Sequence, residues 1–402
     1  MIDPVKLRAA RSAVQGLESS IFDTAPFPLR CGEISRGGWI RGVGSCTPYF
    51  HARSRVGMGS QELDQAVAEQ KFQELPAARG CTYIVGWKHF DIALAFAHFP
   101  GDELKLEAAE RRLGVTQEQL KILESNVQSC LKTGSADPRQ IREELGDKVT
   151  SYGDEGKKFG LSTDLPSALR RLQLKGKIRR VPTNGRLDNE RYTYVLWPDS
   201  PLTVFEKTKS ELHKLIASLY FGWIGPATIY EFQWFTGFSK RTAIAAIQGA
   251  NLLEVAPGYF LPNHRHFDSS KIYSTPNPQF LTCLDNLIML TRNLALHIDE
   301  TDRPLVAQIE GKPIPKGSLF DLDNHPIFDR GRLVGLWAYD QPSQELVYTA
   351  WGSDKDLIAQ RAAETQTFVK EQLGDARSFS MDSTKSRQPR INLLREQPNY
   401  HG

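Results

Sequence analysis

The stretch from Lys157 to Leu196 constrains the fold more than any other part of the chain. Ser162, Thr163 and Asp164 offer N-cap oxygens and Pro166 suits a first helical turn. Leu165, Leu169 and Leu172 then recur at helical spacing, and Gly176 permits a left-handed exit. Ser167, Arg170 and Arg171 are predicted on the opposite, solvent face. Two strands should follow, Lys177 to Val181 and Tyr192 to Leu196, across the turn-rich Thr183-Asn184-Gly185-Arg186. A helix followed by such a hairpin is the pattern of a winged helix. From Arg170 to Arg191 the basic residues are Arg170, Arg171, Lys175, Lys177, Arg179, Arg180, Arg186 and Arg191, against only Asp188 and Glu190. The whole chain of 402 residues carries a formal net charge of just +3, so this charge is local. Such clustering is what a phosphate-backbone footprint looks like, and a merely solvated basic hairpin is the plain alternative.

The same order of elements recurs. Before this unit, Thr116 caps a helix through Leu120, Ile122, Leu123, Val127 and Leu131, Arg139 to Leu145 is a short second helix, and Val149 to Lys158 reads as a loop. After it, Lys207 to Tyr220 is a helix, and Gly225-Pro226 opens another through Ile229, Phe232 and Phe235. Ser239 caps a third, with Lys240 and Arg241 in its first turn, and Leu252 to Leu261 forms a hairpin. Nearer the N-terminus, Lys6 to Leu17 is an opening helix, Gly42 to Tyr49 a sharp turn, Ser60 to about Gln73 a helix with Phe72 inward, and Arg79 to Val85 a turn into a strand. Lys88 to His98 is a further helix. Beyond Pro262, Leu333 to Tyr339 and Glu345 to Ala350 read as paired strands, Ser353 to Leu373 as a closing helix, and the basic tail from Ser378 as either a free arm or a strap. The predicted class is α+β: three tandem winged-helix domains over 1–112, 113–201 and 202–262, then a β-barrel-like domain over 263–402.

Five scattered cysteines without a Cys-x-x-Cys pair support neither a disulfide framework nor a zinc knuckle, and point to a reducing cytoplasm. No apolar run reaches the length of a membrane span, and no signal sequence is read at the N-terminus. His264-x-His266 has a spacing that suits a metal on a strand, but no carboxylate or cysteine completes a set, so no metal or cofactor is expected. A monomer is expected.

Several short segments carry a family resemblance. The Arg79-Gly80 turn, Gly225-Pro226-Ala227-Thr228, Trp234-Phe235-Thr236-Gly237-Phe238-Ser239, Leu284-Asp285-Asn286 followed by Arg292, and Gly331 to Trp337 resemble, in this order, segments of the AlkZ-like winged-helix DNA glycosylases. The resemblance runs from about Leu7 to Leu373. It implies a cradle for duplex DNA and hydrolysis of the N-glycosidic bond of bulky N7-alkylated purines, including those in interstrand cross-links. The partner so implied is double-stranded, alkylated DNA.

The chain departs from the family at the catalytic motif. Gly44-Ser45-Cys46-Thr47-Pro48 stands where the family shows Gln-x-Gln or Gln-x-Asp. Two outcomes stay open: a site rebuilt from nearby groups such as Thr47, Tyr49 and His51, with His51 as a base near its ordinary pKa and Cys46 as the candidate nucleophile, or a DNA-binding protein that has lost catalysis. Arg53 and Arg55 are placed at the edge of the first domain either to reach phosphate or lesion or to form surface ion pairs at a helix start. With Arg170, Arg171, Lys177, Arg179, Arg180, Arg186, Arg191, Lys240 and Arg241 they complete the expected DNA-contacting set. Asp285 and Arg292 are read as braces of a domain junction, and Trp234 and Trp337 as core.

Overall fold

The computed structural model describes residues 2–18, 24–42, 44–97, 102–265, 275–315, 320–352, 354–379, 381–397 and 400–401. His266 of the histidine pair, Val43 of the sharp turn and Ser353 at the start of the closing helix lie outside them.

The N-terminal part runs α1 (Pro4–Val14), α2 (Phe27–Ile34), α3 (Thr47–Val56) and α4 (Ser60–Ala68), then the antiparallel hairpin β1 (Phe72–Pro76) and β2 (Thr82–Gly86), then α5 (Phe90–Ala97). Pro48 sits in the first turn of α3, so the helix begins within the expected sharp turn and carries His51 to Val56 on it. Helix α4 is shorter than its apolar spacing predicts. It stops at Ala68, the backbone turns at Gln70 (φ 57°), and Phe72 reaches the core from strand β1. A side chain that is buried either way does not distinguish helix from strand.

A second unit contains α6 (Asp102–Arg112), α7 (Gln117–Leu131), α8 (Pro138–Leu145), α9 (Gly153–Lys158), α10 (Leu165–Leu174), β3 (Ile178–Pro182) and β4 (Tyr192–Leu196). Thr116 and Asp137 cap α7 and α8 through reciprocal bonds with Gln119 and Gln140. Helix α9 occupies what the sequence reads as loop. Gly156 makes it possible, because a Cβ there would lie 2.0 Å from the carbonyl oxygen of Leu161. This unit keeps a core of its own, with Leu123, Val127, Ile141, Leu165, Leu169, Leu172, Ile178 and Tyr194.

Then follow α11 (Lys209–Ile224), β5 (Ala227–Thr228), α12 (Ile229–Thr236), α13 (Lys240–Gly249), β6 (Leu252–Ala256) and β7 (Tyr259–Pro262), with strand order β5-β7-β6. Thr228, not Gly225-Pro226, caps α12, and Ser239 caps α13 as expected.

The C-terminal part holds β8 (Gln279–Phe280), α14 (Asn286–Met289), α15 (Arg303–Glu310), β9 (His325–Asp329), β10 (Arg332–Asp340), β11 (Glu345–Ala350), α16 (Lys355–Phe368), α17 (Thr384–Arg395) and β12 (Tyr400–His401). Its five strands pair antiparallel in the order β12-β11-β10-β9-β8 and curl into a half-barrel rather than a closed one. The basic tail is a strap: α17 lies on β10 and β11, Arg387 pairs with Asp375 at 2.8 Å and Arg395 with Asp340 at 2.8 Å.

Apart from the second unit, cores are shared along the chain. Trp39, Tyr83 and Phe96 pack with Tyr220, Phe232, Phe235, Leu287 and Leu336 in one cluster, and Phe50 and Phe72 with Trp337 and Phe368 in another. Buried ion pairs stitch the same seams. Arg11 meets Glu231 at 2.8 Å, and Arg55 meets Asp285 at 2.8 Å. Removing one partner of such a pair leaves an uncompensated buried charge. No helix among the described residues is long and apolar enough to cross a membrane.

Candidate nucleic-acid interface

The glycine turn is enclosed. Gly44 adopts φ 73°, its N–H donates to the carbonyl of Leu187 at 3.3 Å, and its own carbonyl accepts from Arg377 Nη2 at 3.1 Å. The same guanidinium nitrogen donates to the carbonyl of Asp188 at 3.0 Å, and Arg377 pairs with Glu190 at 3.0 Å. Leu187 lies in the β3–β4 loop and is 1 % exposed. Its N–H donates to the Tyr49 hydroxyl at 3.0 Å. The tip of the second unit's hairpin therefore sits on the turn, and Arg377 staples it there.

The side chains expected to do chemistry lie beneath this cover. Thr47, at 0 % exposure, accepts from Ser45 Oγ at 3.0 Å and from Thr282 Oγ1 at 3.1 Å. Cys46 Sγ donates to the carbonyl of Arg377 at 3.4 Å, and burial pushes its thiol well above the ordinary range, which removes the thiolate a nucleophile needs. His51 is also 0 % exposed. Burial, with the Arg55 charge second, lowers its pKa to about 3 against the opposing pull of Asp285. A neutral, enclosed imidazole in the geometry seen here touches no solvent. Arg55 is the second inward-facing departure from expectation. It is 3 % exposed and bridges Gln15 and Asp285. Although burial works against it, Arg55 holds the Asp285 carboxyl below its usual value. Asp285 thus braces a junction, as the spacing implied, with Arg55 as its partner; Arg292 pairs instead with Asp321.

The basic hairpin is largely turned inward. Strand β3 lies against β1. Arg179 donates to Gln73 Oε1 at 3.2 Å, and Arg180 lies 3.9 Å from Glu74 and 3.4 Å over the Tyr192 ring. Arg186 pairs with Asp188 and donates to the carbonyl of Gln372 at 3.1 Å. On α10 the predicted solvent face is corrected. Ser167 is 1 % exposed, Arg170 donates to the carbonyl of Gly80 at 2.7 Å, and Arg171 pairs with Glu124 at 2.9 Å. Lys177 and Arg191 remain exposed. Arg53 lies over the Phe368 ring at 4.4 Å.

Helix α13 faces the other way. Lys240, Arg241, Ile244, Ala245 and Gln248 are exposed and line one shallow surface, and no acidic residue occurs on that helix.

The sequence model described as "DNA glycosylase AlkZ-like" matches residues 45–367. The chain belongs to the AlkZ-like DNA glycosylase family. Among solved structures it is similar to the Streptomyces sahachiroi DNA glycosylase AlkZ, with a TM-score of 0.62 and 18% identity over 93% of this chain and 98% of that one. A search of curated proteins returned no match.

Three of the segments that resemble the AlkZ-like family, those of Arg79, Trp234 and Arg292, meet in space. Arg79 Cζ lies 4.1 Å over the Trp234 ring and Arg292 Cζ 5.2 Å over the same ring, while Asn286 donates to the carbonyls of Gly37 and Trp39 at 2.7 and 3.1 Å. Trp337 is core, fully buried, with its indole N–H on the carbonyl of Leu281 at 3.0 Å. Trp234 is half-buried and flanked by charge, unlike the core residue the sequence suggests. Sequence reasoning missed Leu187, Arg377 and Glu74. Leu187 offered a signal, an apolar residue in an otherwise polar turn. Glu74, on β1, offered none.

Proposed function

We propose that this chain is a duplex-DNA-binding repair protein that hydrolyses the N-glycosidic bond of bulky N7-alkylated purines or of purines in interstrand cross-links, acting as a cytoplasmic monomer built on three winged-helix units. The observation that carries this reading is the family match along most of the chain. N7 alkylation already places positive charge on the base, so the protein needs to supply little beyond a held water and an electrostatic environment for the oxocarbenium-like sugar. Helix α13, with Lys240 and Arg241 exposed, is the surface best suited to meet phosphate. Thr47 and His51 contribute to hydrolysis only if the Leu187 loop lifts from the turn.

A second reading is favoured by that loop. With Gly44 and Cys46 in place of the family's carboxamides and Leu187 packed over them, the protein binds lesions or duplex DNA without cutting the glycosidic bond. Single-turnover release of N7-methylguanine from duplex DNA separates the two. Release that falls at least tenfold in Thr47→Ala or His51→Ala supports the enzyme. Absence of release alongside salt-sensitive duplex binding supports the second reading.

A further inference from the structure

Two arginines hold backbones that arginine rarely adopts. Arg79 has φ 54° and Arg292 φ 50°, a left-handed region that residues with a Cβ seldom occupy. They come from segments more than two hundred positions apart, yet both guanidinium groups lie over the one Trp234 ring. The fold is arranged around this meeting. Gly237, at φ 75°, lies so close that a Cβ there would come within 3.3 Å of Arg79 Cγ, and Arg170 props the Arg79-Gly80 turn from below through the carbonyl of Gly80.

A third guanidinium joins them. Ile40 and Ile84 form an antiparallel bridge that sets Arg41 opposite Tyr83, and the charges of Arg41 and Arg79 both act on the Tyr83 phenol. The Tyr83 ring packs edge-on against Phe235, the residue after Trp234, at 6.3 Å. Among the described residues neither Arg41 nor Arg79 has a carboxylate partner, and the Nε atoms of Arg79 and Arg292 are buried without an acceptor. Among the described residues Asp321, whose side chain is 45% exposed, is the one acidic group paired with the cluster, through Arg292. Cation–π contact with Trp234 offsets part of the mutual repulsion, and an anion carrying paired oxygens would offset far more. Strained backbones that gather like charge around one aromatic ring are what a ligand clamp requires.

We propose that Arg41, Arg79 and Arg292, carried on Tyr83 and Trp234, form a clamp for phosphodiester groups of the DNA backbone, beside the glycine turn that follows Arg41 and separate from helix α13. The clamp rests on the duplex-DNA reading above. It contacts backbone and not base edges, so its contribution is the same for every sequence.

The test uses the full chain and duplex DNA of random sequence, with affinity measured across a salt series. Arg79→Gly and Arg292→Gly remove the charge and suit the left-handed backbone, so each should leave the thermal midpoint equal or higher while lowering the slope of log affinity against log salt by about 0.9. Arg41→Gln should lower the slope alike without any backbone effect, which keeps the proposal testable if a glycine variant does not fold. Folded variants that all retain the wild-type slope, while Lys240→Ala/Arg241→Ala lowers it, overturn the clamp and leave DNA binding intact. A wild-type protein without salt-dependent duplex binding overturns both.

Discussion

The second and third helix–hairpin units put basic residues on comparable elements and use them in opposite ways. In the second, arginines of α10 and β3 reach back across the molecule to Gly80, Gln73 and Glu74, and Arg186 reaches Gln372. In the third, Lys240 and Arg241 stand in the first turn of α13 with no acidic residue on their helix. The unit richer in charge is the one whose charge is largely engaged within the fold. What decides is the neighbour: β3 lies against β1, whereas the outer face of α13 is exposed. Clustered charge in a sequence marks a surface only if the tertiary structure leaves it one.

The comparison can be broken most directly at the hairpin. Replacing Arg179, Arg180 and Arg186 together by Ala should destabilise the protein by about 3 kcal/mol, at roughly 1 kcal/mol for each lost partnered group, with the salt slope of duplex binding unchanged. Chemical denaturation alongside a salt titration reads both quantities, and a flattened slope in a protein of native stability would show that these arginines serve DNA after all.

A second test sharpens how this interface is held. Burial raises the Glu74 carboxyl to about 7, even with Arg180 opposing. Because the folded protein then holds a proton that the unfolded chain has released, stability should fall as pH rises from about 4.5 to about 7, by up to about 3 kcal/mol. Glu74→Gln should abolish that decline, and an unaltered pH–stability profile between wild type and variant would remove Glu74 from the account.

The smallest stability effect belongs to the exposed helix. Lys240→Ala/Arg241→Ala should change stability by less than about 0.5 kcal/mol and lower the salt slope by about 1.8, because two phosphate contacts are lost. Equal slopes for this variant and wild type would move the DNA-facing surface elsewhere.

Much of the fold was legible because its signals are local. Thr116 and Ser239 cap helices by bonding backbone N–H groups within three residues, and the β10–β11 hairpin follows from two apolar runs around a polar turn. Phe72 fits a helical spacing as well as a strand because burial alone satisfies both periods, and α9 leaves no apolar period because the contact that stabilises it is made by backbone close to Gly156. The candidate site was legible in position and not in access. The glycine turn is plain in the sequence, but nothing local says that Leu187 and Arg377 cover it, since those contacts join residues more than a hundred positions apart.

By itself, then, the sequence determined many of the helices, the hairpins β3–β4, β6–β7 and β10–β11, caps such as Thr116 and Ser239, and where along the chain the charge is concentrated. The tertiary structure decided what the charges do. A guanidinium in water and one against Gln73, Asp285 or Trp234 are identical as letters. Only the packing of distant segments sets which is solvated, which is paired and which is held beside another of its kind.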